Sequence, residues 1–186
     1  MEESSKTKIK IAYVSIFSVL TAVGAFVSVP LFPVPFTLQT VFVVLSCSLS
    51  RTDRLTGPLS QLFYIAIGLM GLPIFAGARG GPGIILSPTF GYLAMFPIAS
   101  YIASFAPSVR KRWPLTILAF SAAILAIYVG GEAYLYFYSG HILGKQMTLK
   151  AVMLAGVLPF LPLDALKIAV LMPVHLRLSK ILAKRD

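Results

Sequence analysis

The chain alternates between long apolar runs and short polar or basic turns. A helix that crosses a bilayer needs roughly 20 mostly apolar residues, and six runs approach or reach that length. They cover residues 11–29, 37–49, 56–72, 88–106, 115–138 and 151–174. The second run is short, and we expect it to be tilted or to begin inside a cavity. This pattern predicts an all-α integral membrane protein with six transmembrane helices in a single domain, residues 1–186.

Two connections between these runs are rich in helix-breaking residues. Residues 30–35 contain three prolines, and residues 71–83 contain five glycines and two prolines. Proline removes a backbone donor and clashes with the preceding turn, and glycine lowers helix stability. We therefore expect irregular backbone in both connections and no regular helix across either. With the first helix entering from the inside, both would be outer loops.

Composition supports the membrane interpretation. Of the 186 residues, 58% are hydrophobic and only 12% are charged, and the mean hydropathy is +0.87. A soluble domain carries about 25% charged residues, so this surface is expected to face lipid. The polar start, residues 1–10, is followed by an apolar run without a small-residue cleavage pattern, which predicts a first span and not a cleaved signal.

The formal net charge of +10 has two interpretations, nucleic-acid binding or an excess of basic residues in cytoplasmic turns. If the amino terminus is inside, the inner segments carry twelve of the 16 Lys and Arg residues, against three in outer loops. The inner ones are Lys6, Lys8, Lys10, Arg51, Arg54, Arg110, Lys111, Arg112, Arg177, Lys180, Lys184 and Arg185. This bias predicts that both termini are cytoplasmic and argues against nucleic-acid binding.

The remaining lysine, Lys167, lies inside the sixth run together with Asp164. Ionisable groups are costly in hydrocarbon and usually mark a functional site. Their i,i+3 spacing places both on one helix face, so the pair either binds a small polar solute or only neutralises itself between helices. Pro159 and Pro162 precede the pair and predict an irregular or newly started helix that lines a cavity.

Five further residues are candidates with open alternatives. Arg79 is the only charge in the glycine-rich loop and either clamps a ligand carboxylate or remains in water. Gln39 opens the second run as a ligand contact, a helix cap or an interhelix contact. Tyr92 and Phe36 either stack on an apolar ring or belong to the core. Glu132, the other acid within a span, either binds a partner subunit or faces a cavity.

Several kinds of chemistry lack a sequence signature. There is no phosphate-binding loop for ATP hydrolysis, no catalytic Ser/His/Asp arrangement and no metal-ligand spacing. Both histidines, His141 and His175, are expected to lie outside the apolar runs, with His175 opening a basic tail. We therefore predict neither enzymatic activity nor a bound cofactor.

Four ordered motifs resemble the BioY family, the biotin-specific S components of energy-coupling-factor (ECF) transporters. They are PVPFTLQT at 33–40, GLMGLPIFAG at 68–77, SPTFGY at 87–92 and LPLDALK at 161–167. The resemblance covers residues 11–174. Ser87, Phe90 and Leu163 stand where the family pattern often has glycine.

This resemblance implies a six-helix protein of the prokaryotic plasma membrane that captures biotin near its outer face. It also implies a shared module, consisting of a transmembrane coupling protein and two cytoplasmic ATPases, although some members of the family are described as transporting alone. The Ala-x-x-x-Ala contact for the coupling protein is imperfect here, because Ala12 is followed four residues later by Ile16.

Biotin suits the candidate residues. Asp164 could accept from the ureido N–H groups and Lys167 could donate to the ureido carbonyl, while Arg79 or Gln39 takes the carboxylate. The reverse orientation, with Lys167 on the carboxylate, is equally open. The alternatives are an S component for another small vitamin, a membrane enzyme for an apolar molecule, and a membrane subunit without a ligand.

Overall fold

A computed structural model describes residues 2–31, 33–49, 53–107 and 112–183. Within these ranges the regular secondary structure is helical apart from one short hairpin. In chain order the elements are α1 (Glu2–Phe26), β1 (Ser28–Val29), β2 (Phe36–Thr37), α2 (Gln39–Ser48), α3 (Thr56–Leu69), a 3₁₀ helix (Pro82–Leu86), α4 (Phe90–Ala94), α5 (Phe96–Ala103), α6 (Trp113–His141), α7 (Leu149–Gly156) and α8 (Leu161–Ala183). The predicted inner basic residues Arg51, Arg110, Lys111, Lys184 and Arg185 lie outside the described residues.

Two of these helices are long and apolar enough to cross a membrane alone, residues Glu3–Phe26 of α1 and the whole of α6. A third span is possible if α7 and α8, which meet at 44°, are taken as one broken helix. The other apolar segments form shorter helices, such as the 10 residues of α2. The helical membrane class is therefore confirmed, and the count of six spans stays a prediction.

The fourth apolar run is not one helix, as the sequence pattern suggested, but two. α4 ends at Ala94, Met95 caps it, and α5 begins at Phe96 with Pro97 in its first turn. Proline has no N–H to continue the hydrogen bonds of the preceding helix, but it is well tolerated in a first turn. Pro97 thus explains why the run breaks at this point.

The sixth run is also broken, here in agreement with the prediction from Pro159 and Pro162. α7 ends at Gly156, and α8 starts at Leu161 with Pro162 in its first turn. The prediction that the helix gives way to a basic tail at His175 is wrong, because α8 continues to Ala183. His175 is fully buried, its ring packs edge-on against Phe120 with centroids 5.4 Å apart, and its Nε2 lies 3.4 Å from the carbonyl oxygen of Pro107.

The proline-rich connection forms a small antiparallel hairpin. Ser28 pairs with Thr37, and Val29 pairs with Phe36. The glycine-rich connection is irregular from residue 71 to 81, but its last residues enter the 3₁₀ helix Pro82–Leu86, so the expectation that no helix forms within 71–83 fails at that end. Both connections lie at the same end of the bundle and meet above α2 and α8.

The chain ends lie at the other end of the bundle. On α1, Lys10 forms a 2.7 Å ion pair with Asp53 in the turn between α2 and α3. In the same turn Arg54 lies 4.3 Å from the centroid of the Phe105 ring, at the end of α5. The contact of His175 then places the last helix beside the connection that follows α5. Both described chain ends are therefore on one side, as an even number of spans requires.

The outer surface of the bundle is apolar. On α6, Leu118, Leu125 and Val129 are each at least 60% exposed, and on α8 Leu166 and Val170 are similarly open. These side chains recur on one face of each helix, opposite the face that packs inward. Such a surface is unfavourable in water and fits a lipid environment.

Candidate functional site

A cavity of about 740 Å³, including its open mouth, lies at the end of the bundle opposite the chain termini. The cavity is lined mainly by apolar side chains of the hairpin, the 71–87 connection, α4 and α6, while α8 contributes a charged pair. Six of the seven candidate residues from the sequence line this one cavity: Phe36, Gln39, Arg79, Tyr92, Asp164 and Lys167.

The polar centre of the cavity is the ion pair in the first turns of α8. Asp164 Oδ1 and Lys167 Nζ are 2.7 Å apart, and both residues are more than 90% buried. Lys167 also donates 2.8 Å hydrogen bonds to the carbonyl oxygen of Thr37 and to Thr40 Oγ1. Its ammonium lies 4.1 Å from the centroid of the Phe36 ring, a cation–π contact. The pair therefore ties α8 to the hairpin and to α2.

Asp164 receives a second neighbour from α6. The Tyr128 hydroxyl donates a hydrogen bond to Asp164 Oδ2. Although Oδ1 forms the ion pair, it accepts no well-aligned hydrogen bond within the described part of the chain. Oδ1 is buried, but it belongs to a residue that lines the cavity, and it retains acceptor capacity beyond the ion pair.

Gln39 is held by the protein itself. Its Nε2 donates to the Tyr64 hydroxyl at 2.7 Å, and its Oε1 accepts from Thr37 Oγ1 at 3.1 Å. Tyr64 in turn donates to the carbonyl oxygen of Ile74 at 3.0 Å. This chain of hydrogen bonds connects the start of α2, the middle of α3 and the loop above the cavity. The structure thus favours the interhelix role among the alternatives for Gln39.

The loop above the cavity is anchored by Phe75. Its side chain is 2% exposed and packs edge-on against Tyr64, with centroids 5.4 Å apart. The ring also fills the space beside Gly68, where any Cβ would overlap it. Close approach of this kind explains the glycine in α3, since glycine is otherwise unfavourable inside a helix.

Arg79 follows directly in this loop. An antiparallel bridge joins its backbone to that of Phe75, and the tight turn between them places Ala78 at a φ of 54°. Arg79 Nε donates to the carbonyl oxygen of Ala76 at 3.1 Å. No other hydrogen bond or ion pair occupies the guanidinium among the described residues, so its two terminal nitrogens remain available at the cavity mouth.

The two predicted aromatic residues form opposite parts of the cavity wall. The Phe36 ring is stacked nearly parallel to Phe160, with centroids 6.4 Å apart. The Tyr92 hydroxyl donates a 2.6 Å hydrogen bond to Glu132 Oε1. Glu132 therefore lies behind the cavity wall and is not itself a lining residue, so the structure does not place it facing the cavity.

Several lining residues were not predicted, most notably Tyr128, Thr40 and Phe160. Thr40 belongs to the 33–40 motif, and Phe160 lies between Pro159 and Pro162, directly before α8. Tyr128 carried a signal that could have been used. It precedes Glu132 by one helical turn, and residues at i and i+4 share a face, so the acid in the fifth run pointed to the tyrosine beside it.

Comparison with known proteins agrees with this geometry. The model of the BioY family matches residues 1–184. The biotin transporter BioY of Thermotoga maritima is 34% identical over 170 residues, which is 91% of this chain and 95% of that protein. A probable biotin transporter BioY of Pyrococcus horikoshii is 38% identical over 91% of this chain and 96% of its own length.

The fold also matches a crystal structure of the S-component for biotin from an ECF-type ABC transporter. The TM-score is 0.83 over 97% of this chain and 95% of that chain, at 22% sequence identity. At that identity the match establishes the fold, while the family model and the two relatives establish the family. From its sequence and its fold, this chain belongs to the BioY family.

Proposed function

We propose that this protein is a biotin-binding S component that captures biotin in the cavity at the outer end of the bundle. The observation that carries the proposal is the buried pair of Asp164 and Lys167 inside a largely apolar cavity. Biotin combines a ureido ring with an apolar bicycle and chain, which corresponds to this combination of one polar centre and apolar walls. Relatives that align over nearly the whole chain are named as biotin transporters.

In the proposed pose the ureido ring lies at α8. Asp164 Oδ1 accepts a ureido N–H, and Lys167 donates to the ureido carbonyl with the N–H that it now gives to Thr40. Thr40 can release that contact because its hydroxyl rotates freely. The apolar bicycle then lies between Phe36 and Tyr92. In this pose the carboxylate of Asp164 and the ammonium of Lys167 both keep partners.

The carboxylate of biotin is proposed to bind Arg79. A guanidinium can form two parallel hydrogen bonds to a carboxylate, and both terminal nitrogens of Arg79 are available. Gln39 is a weaker candidate, because its amide oxygen and nitrogen already bind Thr37 and Tyr64. In the reverse pose the carboxylate would instead pair with Lys167.

Titration of the purified protein with biotin tests the site. Asp164→Asn and Lys167→Met are each expected to weaken binding at least tenfold, which is about 1.4 kcal/mol or more. Leu166→Ala is the matched control, since this side chain is on the same helix but is 62% exposed to lipid. Unchanged affinity in both site variants would refute the site, and a panel of other vitamins tests the choice of ligand.

The orientation is tested separately with biotin methyl ester, which lacks the negative charge. Arg79→Gln should weaken biotin at least tenfold and the ester by much less. If the ester loses as much as the acid in this variant, Arg79 does not bind the carboxylate. If instead Lys167→Met affects the acid far more than the ester while Arg79→Gln affects neither, the reverse pose is correct.

We further propose that transport requires a coupling protein in the plasma membrane and two cytoplasmic ATPases. Support comes from the shared fold with an S-component of an ECF-type ABC transporter and from the absence of a phosphate-binding motif in the sequence. Uptake of labelled biotin into proteoliposomes should then depend on the added module and on ATP. Full uptake by the protein alone would contradict this part of the proposal.

A further inference from the structure

A second buried carboxylate lies directly behind the cavity wall. Glu132 is one helical turn beyond Tyr128 on α6, and its Oε1 accepts the 2.6 Å hydrogen bond from Tyr92. Its other oxygen, Oε2, is buried and accepts no hydrogen bond within the described residues. The backbone of Gly156 approaches so closely that a Cβ there would overlap both Glu132 Oε1 and the Tyr92 hydroxyl.

This contact fixes which role the Tyr92 hydroxyl can play. A phenol has one proton to donate and lone pairs to accept with. Glu132 Oε1 can only accept, both in the ionised carboxylate and in the acid that carries its proton on Oε2. The hydrogen bond runs from the Tyr92 hydroxyl to Glu132 Oε1, in keeping with both of these forms, and only the lone pairs of Tyr92 then remain for the cavity.

The neighbouring turn of α6 repeats the arrangement. Tyr128 gives its proton to Asp164 Oδ2, so its oxygen is also left as an acceptor. Both tyrosines line the cavity, and each donates to a carboxylate, Tyr92 to Glu132 behind the wall and Tyr128 to Asp164 within the cavity. On this wall both phenol oxygens can accept a hydrogen bond, but neither phenol has a free proton to donate. The wall therefore suits a ligand that presents N–H groups.

We propose that Glu132 is a positioning residue that holds Tyr92 as a hydrogen-bond acceptor for a ureido N–H of the ligand. This inference rests on the proposed function, because it takes biotin as the ligand. Its consequence is selectivity for the N–H group. A site whose polar groups are set to bind a donor rejects an analogue that lacks the donor, since the acceptor is then left unpaired.

The test measures selectivity and not affinity alone. Binding of biotin is compared with binding of the two cyclic-carbamate analogues in which one or the other ureido N–H is replaced by oxygen. The wild-type protein should prefer biotin to at least one analogue. Glu132→Met frees the Tyr92 hydroxyl to rotate and donate, so the preference for biotin over that analogue should fall about tenfold. Glu132→Gln keeps an oxygen acceptor and should retain the preference within threefold.

Two variants separate positioning from a general structural role. Tyr92→Phe removes the phenol oxygen and should abolish the same preference, and adding Glu132→Met to it should change the preference no further. Val129→Ala, on the lipid-exposed face of α6, is the control. If Glu132→Met weakens biotin and both analogues equally, Glu132 is only structural and the inference is wrong.

The outcomes distinguish this inference from the proposed function. Failure of the wild-type protein to bind biotin would refute the function. Saturable binding by the wild type with unchanged selectivity in Glu132→Met would refute only the role of Glu132. If Glu132→Met does not yield folded protein by size-exclusion chromatography, Tyr92→Phe decides, because full N–H selectivity in that variant contradicts the proposal.

Discussion

Replacing Lys167 with methionine should destabilise the protein even in the absence of any ligand. Methionine has a similar length and fits an apolar surrounding, so the change removes the charge with little change in packed volume. It leaves Asp164 buried beside a neutral side chain. It also removes the two 2.8 Å hydrogen bonds that connect α8 to Thr37 and Thr40.

The size of the effect follows from the burial of the pair. Hydrogen bonds to a charged group contribute about 1.5–3 kcal/mol each, and removal of one partner from a buried ion pair costs about 3–5 kcal/mol in total. These two figures describe overlapping interactions and are not added. For a chain of 150–250 residues, 1 kcal/mol corresponds to roughly 2–4 °C. We therefore expect Lys167→Met to lower the melting temperature by roughly 6–20 °C.

The assay is thermal stability of purified protein in detergent without biotin. The fraction that remains monodisperse after heating is measured by size-exclusion chromatography at one fixed heating rate, because irreversible unfolding depends on that rate. Leu166→Met, at a lipid-exposed position of the same helix, controls for the introduction of methionine. It should melt within about 2 °C of the wild type, far less than the roughly 6–20 °C shift that the loss of the pair predicts.

The double variant Asp164→Asn/Lys167→Met provides the decisive comparison. Asparagine keeps an oxygen that can accept from Tyr128, and the pair of substitutions leaves no unpaired charge. The double variant should recover at least half of the stability lost in Lys167→Met. A Lys167→Met protein as stable as the wild type, or a double variant that loses the sum of both single effects, would refute the reasoning.

Two further predictions concern the loop anchored by Phe75 and the turn between α2 and α3. Gly68→Ala should lower the stability of the fold by about 1–3 kcal/mol through overpacking against Phe75, and it should also weaken biotin binding. Gly83→Ala is the control, because no atom lies within 4 Å of the new Cβ. Thermal melts and biotin titrations of this control should match those of the wild type. Partial burial alone would raise the pKa of Asp53, but hydrogen bonds from Lys10 and from the start of α3 together hold it below its ordinary value. Asp53 therefore stabilises the fold at neutral pH and loses this effect as the pH falls through its lowered pKa. Since the pair is solvent-screened, Asp53→Ala should cost less than about 1 kcal/mol at pH 7, and this cost should shrink as the pH falls through the lowered pKa. A stability difference that grows on acidification would contradict this.

The positions of the apolar segments could be predicted well, because each is bounded by prolines or charges that a helix in lipid avoids. One feature that was visible in the sequence, Pro97, was not given enough weight in the prediction. Pro97 breaks the fourth run although every neighbour is apolar, since the missing N–H matters more than hydropathy. The hairpin of Ser28–Val29 with Phe36–Thr37 could not be predicted, because two-residue strands have no periodicity to detect.

The end of α8 was predicted wrongly for a different reason. Its buried positions Leu171, His175 and Ser179 recur every four residues, which is a helical period, but two of the three are polar. A count of apolar residues therefore stopped at residue 174, although the alternation with exposed Arg177 and Lys180 continued. In this segment the four-residue spacing of the buried positions indicates the helix, but the pattern is hard to recognise because two of the buried residues are polar.

The site residues likewise differ in how easily they could be predicted from the sequence. Asp164 and Lys167 are charges in an apolar run, so their cost in hydrocarbon identified them without any knowledge of the fold. Tyr128 is an aromatic residue among other aromatic residues, and nothing in its own chemistry separates a binding wall from a core. What distinguishes it is its partner, a carboxylate 36 positions later in the chain that α6 and α8 bring together. The charged residues of such a site can thus be found from the sequence alone. The direction of their hydrogen bonds depends on how the helices pack, so it can be determined only from the structure.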